Sequence, residues 1–440
     1  MWIKFWGTRG SIPTPGPGTL RYGGNTACVE VRAADGQLLI LDCGTGLRQL
    51  GKSLAGDPQP ITADILLSHT HWDHIQGLPF FAPAFRKDNH FTLYATAGVN
   101  QRVVDVLSLP MDYMYFPLGL AELAASLSFK HVGEETFSVG GLQVKTQCLN
   151  HTSLTLAYRI ASGGVSMVYV ADHEAFSPGL YRSGVVRPSE DDIVHAGDRK
   201  HVEFLRGADL VIHDAQYTEA EYLTKRNWGH STAEYAVDVC IAAGVRQVAL
   251  THHDPDRDDD AVQRIEAACQ ERAQRMGSPL KVIAAAEGME IVLSERAVSA
   301  PAGVIQALAV DRLQPACILV VDDDPDMLEM VRAVLARDGY QLLMADDGDQ
   351  ALEIVERHRP DLIILDVMMP RMNGYQVLQQ LRATAEFQDI PVLMFTARAG
   401  EEDIVRSFAG GVTDYVSKPV TPALLRARVR RWLLGAEQRG

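Results

Sequence analysis

The stretch Leu66-Leu67-Ser68-His69-Thr70-His71-Trp72-Asp73-His74-Ile75-Gln76-Gly77-Leu78-Pro79 decides how the larger part of this chain is read. The apolar run Ile65 to Leu67 predicts a strand, which Ser68 ends. Three histidines and one aspartate then fall within six residues. Crowding so many titratable side chains is costly unless they bind something. Neutral imidazole is the commonest metal ligand, and a carboxylate adds a harder oxygen donor. His69 and His71, two apart in extended chain, can point to one side. Asp73 and His74 follow where the chain turns and can face a second position beside the first. The pattern His-x-His-x-Asp-His therefore suits two adjacent metals better than one, and a chance polar loop rich in histidine is the weaker alternative.

Strand-like runs flank this motif at Cys28 to Val31, Leu38 to Leu41 and Phe91 to Ala95, with a short helix expected over Leu47 to Leu54. Residues 98–128 hold Met111, Tyr113, Met114, Tyr115, Phe116 and Pro117 in a compact group. That group reads either as a helix pair packing its own core or as an apolar lid or dimer contact beside the metals. Further strands are expected at Leu142 to Cys148, Leu154 to Ile160, Ser166 to Ala171, Leu210 to Ile212, Gln247 to Leu250, Lys281 to Ala285 and Glu290 to Leu293. Helices are expected at Val202 to Arg206, Ala233 to Ala243 and Asp260 to Met276. Strands first in series and then alternating with helices predict a layered α/β sandwich. His151, Asp172 and His252 each follow or end such a strand, where an α/β layer gathers its site residues. His253 competes with His252; the residue directly after Thr251 is preferred.

The histidine motif resembles the metal-binding signature of the metallo-β-lactamase superfamily, and the resemblance runs from Met1 to about residue 295. It takes in Phe5-Trp6-Gly7-Thr8-Arg9-Gly10-Ser11-Ile12-Pro13, Gly23-Gly24-Asn25-Thr26 and Leu41-Asp42-Cys43-Gly44-Thr45-Gly46. These segments are more similar to the ribonuclease Z and cyclic-phosphodiester-hydrolase branch than to the antibiotic-cleaving branch. The resemblance implies an αββα sandwich in which His69, His71 and His151 hold one metal, Asp73, His74 and His252 the other, and Asp172 bridges them. Zinc is the default for such a nitrogen and oxygen set, with Mn²⁺ or Fe in its place as alternatives.

The same branch carries a non-ligand catalytic histidine in a Gly-His-Ser-Thr setting, matched by Gly229-His230-Ser231-Thr232. An acidic residue in a motif resembling His213-Asp214-Ala215 supports it, although ribonuclease Z usually has Glu where Asp214 stands. By that resemblance His230 is general acid or phosphate-oxygen stabiliser, and Asp214 fixes its tautomer and raises its pKa. Two metals would acidify a water and polarise phosphoryl oxygens, and Asp73 would accept a proton as well as bind metal. That chemistry suits a small phosphodiester of cyclic-nucleotide type. No basic insertion able to grip tRNA is visible, and the formal net charge of −15 argues against a nucleic-acid partner, DNA included.

From Ala316 the texture changes to strict β–α alternation, with strands at Cys317–Val321, Gln341–Ala345, Leu362–Leu365, Val392–Phe395 and Asp414–Val416. A five-stranded parallel sheet with helices on both faces follows, a (βα)5 flavodoxin-like domain. Converging strand ends bring Asp322, Asp323, Asp366, Thr396 and Lys418 to one acidic pocket. Asp323 and Asp366 would hold Mg²⁺, with Asp322 acting through water. Asp366 is the carboxylate that accepts a phosphoryl group, and Lys418 pairs with the phosphate. Residues 314 to 435 closely resemble a response-regulator receiver, whose switch pair Thr396 and Tyr415 match.

The 440 residues are thus divided into a hydrolase domain at 1–295, a linker at 296–313 and a receiver at 314–440. Six scattered cysteines without a CxxC pair predict a reducing compartment and no disulfides. The N-terminus lacks the features of a signal peptide, and no run of about 18 apolar residues would span a membrane. The expectation is a cytoplasmic signalling hydrolase taking a small phosphodiester, phosphorylated by a sensor histidine kinase or phosphotransfer protein, with a homodimer allowed. Its rivals are a metallo-hydrolase of another class (thiolesterase, lactamase or RNA 3′-processing endonuclease) and a non-enzymatic phosphorelay module. His230 disfavours the first and the full ligand set the second.

Overall fold

The structure is a computed structural model that describes residues 1–56, 58–96, 103–108, 111, 113–114, 116–177, 180, 193–294, 316–336, 340–384, 386–396 and 414–418, together with 425, 428–429 and 432–433. It divides into two compact units, the first chiefly Met1–Ile193 with Asp198–Ile305, the second chiefly Gln306–Gly440. Among the described residues no helix is long and apolar enough to cross a membrane.

The first unit holds two seven-stranded sheets. One is built from β1 (Trp2–Gly7), β2 (Cys28–Arg32), β3 (Leu38–Leu41), β4 (Thr62–Leu66), β5 (His90–Ala95) and β6 (Ser126–His131). The other is built from β7 (Thr136–Val139), β8 (Leu142–Cys148), β9 (Leu156–Ser162), β10 (Val165–Val170), β11 (Leu210–Asp214), β12 (Gln247–Thr251) and β13 (Lys281–Ala284). A last strand, β14 (Glu290–Val292), returns to the first sheet beside β1. Strands β3 to β6 run parallel, as do β10 to β13, so each sheet has one end where parallel strands finish together.

Each sheet carries helices on one face. Leu47, Leu50 and Leu54 of α1 (Gly46–Leu54) repeat at helical spacing and pack on Ile40, Ile65 and Leu93. On the other sheet, α4 (Ala196–Leu205), α6 (Ala233–Ala242) and α7 (Asp259–Arg275) bury Val202, Ala236, Cys240 and Cys269 against Val168, Val211 and Val248. The remaining faces meet: Tyr158 donates 2.6 Å across to the Leu67 carbonyl, and Tyr169 donates 2.7 Å to Asp42. The result is the expected αββα sandwich.

Two expectations change. Strands β6 and β7 escaped the sequence reading. The helix pair expected within residues 98–128 is not what the described residues form. They give a short helix α3 (Val103–Ser108), a turn at Leu120–Glu122 and the start of β6. Leu107, Met111, Leu120 and Leu123 join the core under α1 rather than a core of their own, while Tyr113 and Met114 stay exposed. Tyr115 and the expected linker 296–313 lie outside the described residues.

In the second unit β15 (Cys317–Val321), β16 (Gln341–Ala345), β17 (Leu362–Asp366), β18 (Val392–Thr396) and β19 (Asp414–Ser417) form one parallel sheet in the order β16-β15-β17-β18-β19. Alternate residues face opposite layers. Ile318, Val320 and Ile364 pack with Val331 and Leu335 of α8 (Pro325–Leu335). Leu319, Val321 and Leu365 pack with Val355 of α9 (Gly348–His358) and Leu378 of α10 (Gly374–Ala383).

Candidate metal centre

The site of the first unit lies where the parallel strands of both sheets end. The loop after β4 brings His69, His71, Asp73 and His74; the loop after β8 brings His151; Asp172 follows β10, Asp214 ends β11 and His252 follows β12. Helical turn α2 (Trp72–Ile75) places Asp73 and His74 beside the extended pair His69 and His71.

Asp172, 1% exposed, stands between two histidine sets. Its Oδ1 lies 3.2 Å from His74 Nε2 and 3.1 Å from His252 Nε2. Its Oδ2 lies 3.4 Å from His69 Nε2 and 3.5 Å from His151 Nε2. Asp73 Oδ2 is 3.1 Å from His252 Nε2, and His71 Nδ1 is 3.1 Å from His151 Nε2. Two groups of four follow, His69-His71-His151-Asp172 and Asp73-His74-Asp172-His252, with the ligating atoms of each within 4.8 Å of one another. His253, the competing candidate, points elsewhere and donates 2.8 Å to the Ala285 carbonyl.

These residues fit a pair of cations. His69 Nε2, His74 Nε2 and Asp172 Oδ1 are buried without a hydrogen-bond partner, an arrangement that costs stability unless a cation takes up the donor atoms. The electrostatics point the same way. Burial works to lower the His252 imidazole, but the charges of Asp172, Asp214 and Asp73 and the Asp73 hydrogen bond together outweigh it and push it up to about 9. His74 rises well above its usual value for reasons of the same kind. His151, pushed down to about 3 chiefly by burial, is neutral and free to donate its lone pair. Burial would raise Asp73, yet the charge of His74 and hydrogen bonds to His252 and His74 hold it far below the carboxylate range.

A second layer fixes which nitrogen faces inward. Ser68 Oγ donates to Asp42 Oδ2 at 2.7 Å, so it accepts from His69 Nδ1 at 3.0 Å. His74 Nδ1 donates to Asp42 Oδ2 at 2.7 Å, His151 Nδ1 to the Gly229 carbonyl at 2.8 Å, and His252 Nδ1 to Gln216 Oε1 at 3.1 Å. Each outer nitrogen is thus fixed as a donor, which leaves Nε2 of His69, His74, His151 and His252 as the nitrogen that would face a cation. Gly229 has φ +89°, and a Cβ there would sit 2.3 Å from His151 Nδ1, so the carbonyl reaches the ring only from glycine.

His230 stacks on His252 with ring centroids 4.9 Å apart, and its Nδ1 stays 4.0 Å from Asp172 Oδ2. That nitrogen pairs instead with Asp214 Oδ2 at 3.2 Å. The same oxygen accepts from Ser231 N at 3.0 Å and His173 N at 3.1 Å, and Oδ1 accepts from Gln216 N at 3.1 Å. Asp214, His230 and His252 also converge as a third group, but backbone donors occupy both Asp214 oxygens. Thr232 caps α6 by accepting from Tyr235 N at 3.0 Å, which sets the loop that carries His230.

Four supporting residues were not named as site residues from sequence: Asp42, Gln216, Ser68 and Glu174. Glu174 accepts from Tyr222 Oη and Asn227 N at 2.6 Å and from Gly229 N at 2.8 Å, and so holds the loop before His230. Asp42 and Ser68 left a trace, each a polar residue directly after an apolar strand run.

In the second unit Asp322, Asp323 and Asp366 converge as candidate ligands for Mg²⁺. Lys418 Nζ lies 2.8 Å from Asp322 Oδ2 and 2.5 Å from Asp366 Oδ1. Burial raises the Asp322 carboxyl against the pull of Lys418. Thr396 and Tyr415 lie on neighbouring β18 and β19, and their side chains fall outside the described residues.

The family profile described as beta-lactamase superfamily domain matches residues 38–253, and that of the response regulator receiver domain matches residues 318–430. Over 113 residues the chain is 46% identical to the DNA-binding response regulator MtrA of Mycolicibacterium smegmatis, covering 26% of this chain and 48% of that protein. The chain therefore spans about half the length of the curated relatives it matches. Among solved structures it is similar to the metallo-beta-lactamase fold protein YhfI from Bacillus subtilis, with 18% identity and a TM-score of 0.45 over 66% of this chain and 98% of that one. Human tRNase Z, short form, gives 20% identity and a TM-score of 0.44 over 67% of this chain and 100% of that one.

Proposed function

The chain carries a beta-lactamase superfamily domain at residues 38–253 and a response regulator receiver domain at residues 318–430, and from that pairing we propose a metal-dependent phosphodiesterase governed by phosphorylation of Asp366. The observation that carries the reading is the position of His230. It stands next to the ligand set yet turns its Nδ1 to Asp214, 3.2 Å away.

His69, His71, His151 and Asp172 would hold one cation, and Asp73, His74, Asp172 and His252 the other. Zinc, or Mn²⁺ or Fe, bound there would polarise a phosphoryl oxygen and acidify a water. The rest is done by the chain. Asp214 keeps a proton on His230 Nδ1, so Nε2 is the nitrogen that delivers or shares a proton with the leaving oxygen. Ser11 N donates 2.8 Å to Asp73 Oδ2 and so holds the carboxylate that would bind metal and accept a proton. Burial of His69, Asp172 and His252 keeps bulk water from competing for these contacts.

Asp322, Asp323 and Asp366 would hold Mg²⁺, and Asp366 would take the phosphoryl group from a histidine kinase or phosphotransfer protein. Lys418, now shared between Asp322 and Asp366, would pair with the phosphate. A small phosphodiester suits the net charge of −15 better than a polynucleotide does.

The test is metal analysis with a hydrolysis screen using bis-(p-nitrophenyl) phosphate, cyclic nucleotides, a thioester and a β-lactam. Turnover confined to the phosphodiesters is expected. Turnover of the thioester or lactam alone would replace the phosphodiesterase reading.

A further inference from the structure

A cation and an aromatic face stand together in the loop that leads to His230, and the phosphodiesterase chemistry does not use them. After α5 (Glu219–Tyr222) the chain runs through Leu223-Thr224-Lys225-Arg226-Asn227-Trp228 to Gly229 and His230. One buried carboxylate, Glu174, takes hydrogen bonds from Tyr222 Oη, Asn227 N and Gly229 N, and so pins both ends of this loop. Asn227 adopts φ 66° to allow it. The loop is therefore set before any ligand arrives, which removes an ordering cost from binding.

What the loop presents is unusual for a structural turn. Trp228 is 55% exposed, although it is flanked by residues fixed through Glu174. Lys225 Nζ lies 4.3 Å from the Trp228 ring centroid and 5.6 Å from that of Tyr217. Tyr217 is buried and meets the His230 ring edge-on at 5.9 Å, so one aromatic ring separates the Lys225 ammonium from His230. Among the described residues Lys225 pairs with no carboxylate, in a chain where acids outnumber bases 56 to 41. An ammonium left without a carboxylate partner beside an anion-handling centre attracts anions, and an open indole face stacks flat aromatic rings of any base.

We propose that Lys225 and Trp228 form a subsite for the nucleoside part of the substrate. The base stacks on Trp228, and Lys225 faces the anionic oxygens between base and scissile group. The inference rests on the phosphodiesterase reading and deepens it, selecting nucleotide phosphodiesters over alkyl ones.

The experiment is calorimetric titration of the metal-loaded full chain with 5′-AMP, adenosine and inorganic phosphate. AMP is expected to bind more tightly than phosphate. Trp228→Ala should weaken AMP and adenosine by roughly 5- to 150-fold, the factor that ~1–3 kcal/mol of base stacking represents, and Trp228→Phe should recover most of it. Phosphate affinity in the same variant reports an intact fold and centre. Lys225→Met should weaken AMP but not adenosine. Equal binding of AMP and phosphate by the parent chain overturns the subsite, as does an equal loss of AMP and phosphate in Trp228→Ala. Turnover of bis-(p-nitrophenyl) phosphate, assayed separately, tells the two readings apart. If turnover is present without AMP preference, only the subsite fails. If the preference is present without turnover, only the phosphodiesterase reading fails.

Discussion

His74 Nδ1 lies 2.7 Å from Asp42 Oδ2, inside a carboxylate cage that also receives Ser68 Oγ and Tyr169 Oη, each at 2.7 Å. Both residues are fully buried, and Asp42 holds φ 60°, a conformation costly for a residue with a Cβ. Asp42→Asn keeps the shape and removes the charge that anchors the histidine proton. Outer partners of metal-bound histidine are worth roughly 10–100-fold in metal affinity. Competition against a chromogenic chelator should register that loss, and unchanged affinity would reduce Asp42 to a packing role.

Asp172 offers one oxygen to each histidine set. Elemental analysis should find close to two transition metals per parent chain, and Asp172→Ala should lose most of both metals and all hydrolysis. Full activity in that variant would remove the carboxylate from the centre.

Stripping the metals should lower the melting temperature of the first unit. A ligand present at about 100 times its Kd adds ~2.7 kcal/mol to the folded state. Differential scanning calorimetry with and without EDTA, each repeated after readdition of Zn²⁺, measures the shift. Identical melting in both buffers would mean that the cluster binds no metal of consequence.

His230→Ala should keep its metals and lose turnover by roughly 10²–10⁴-fold, the usual worth of a positioned acid or base. A fall in metal content that tracks the fall in rate would make His230 a ligand instead, completing the group with Asp214 and His252.

Phosphorylation of Asp366 should change hydrolysis by roughly 5–150-fold, the range set by coupling energies of ~1–3 kcal/mol. The comparison is between rates with and without beryllofluoride and Mg²⁺, with Asp366→Ala as control. Equal rates at verified receiver occupancy would assign the receiver to partner choice or localisation.

The residues that lie close in sequence were the most legible ones. His69, His71, Asp73 and His74 announce themselves by density, whereas His151, Asp172 and His252 stand at strand ends and join the set only through the family resemblance. In the receiver, Leu362 to Asp366 reads as a buried strand ending in acid because nearly every side chain is apolar. Gln216 and Glu174 were opaque for a physical reason. Each acts through partners far along the chain, Gln216 on His252 and Glu174 on Tyr222 and Gly229, and no local pattern marks an amide or carboxylate that will find such partners. Strand β6 was missed although Ser126-Leu127-Ser128-Phe129 alternates, because its apolar residues are only half-buried at a sheet edge and the alternation is short.

The ligands come from both sheets, and that has a kinetic meaning. Asp73 and His252 touch at 3.1 Å although 179 residues separate them in sequence. No fragment that ends before β12 can assemble the second cation position, and no amount of early local structure in the histidine loop completes the first without His151. Closing such long loops is slow and comes late. During synthesis the histidine loop therefore emerges well before His252, and the second position is incomplete until β12 has been made.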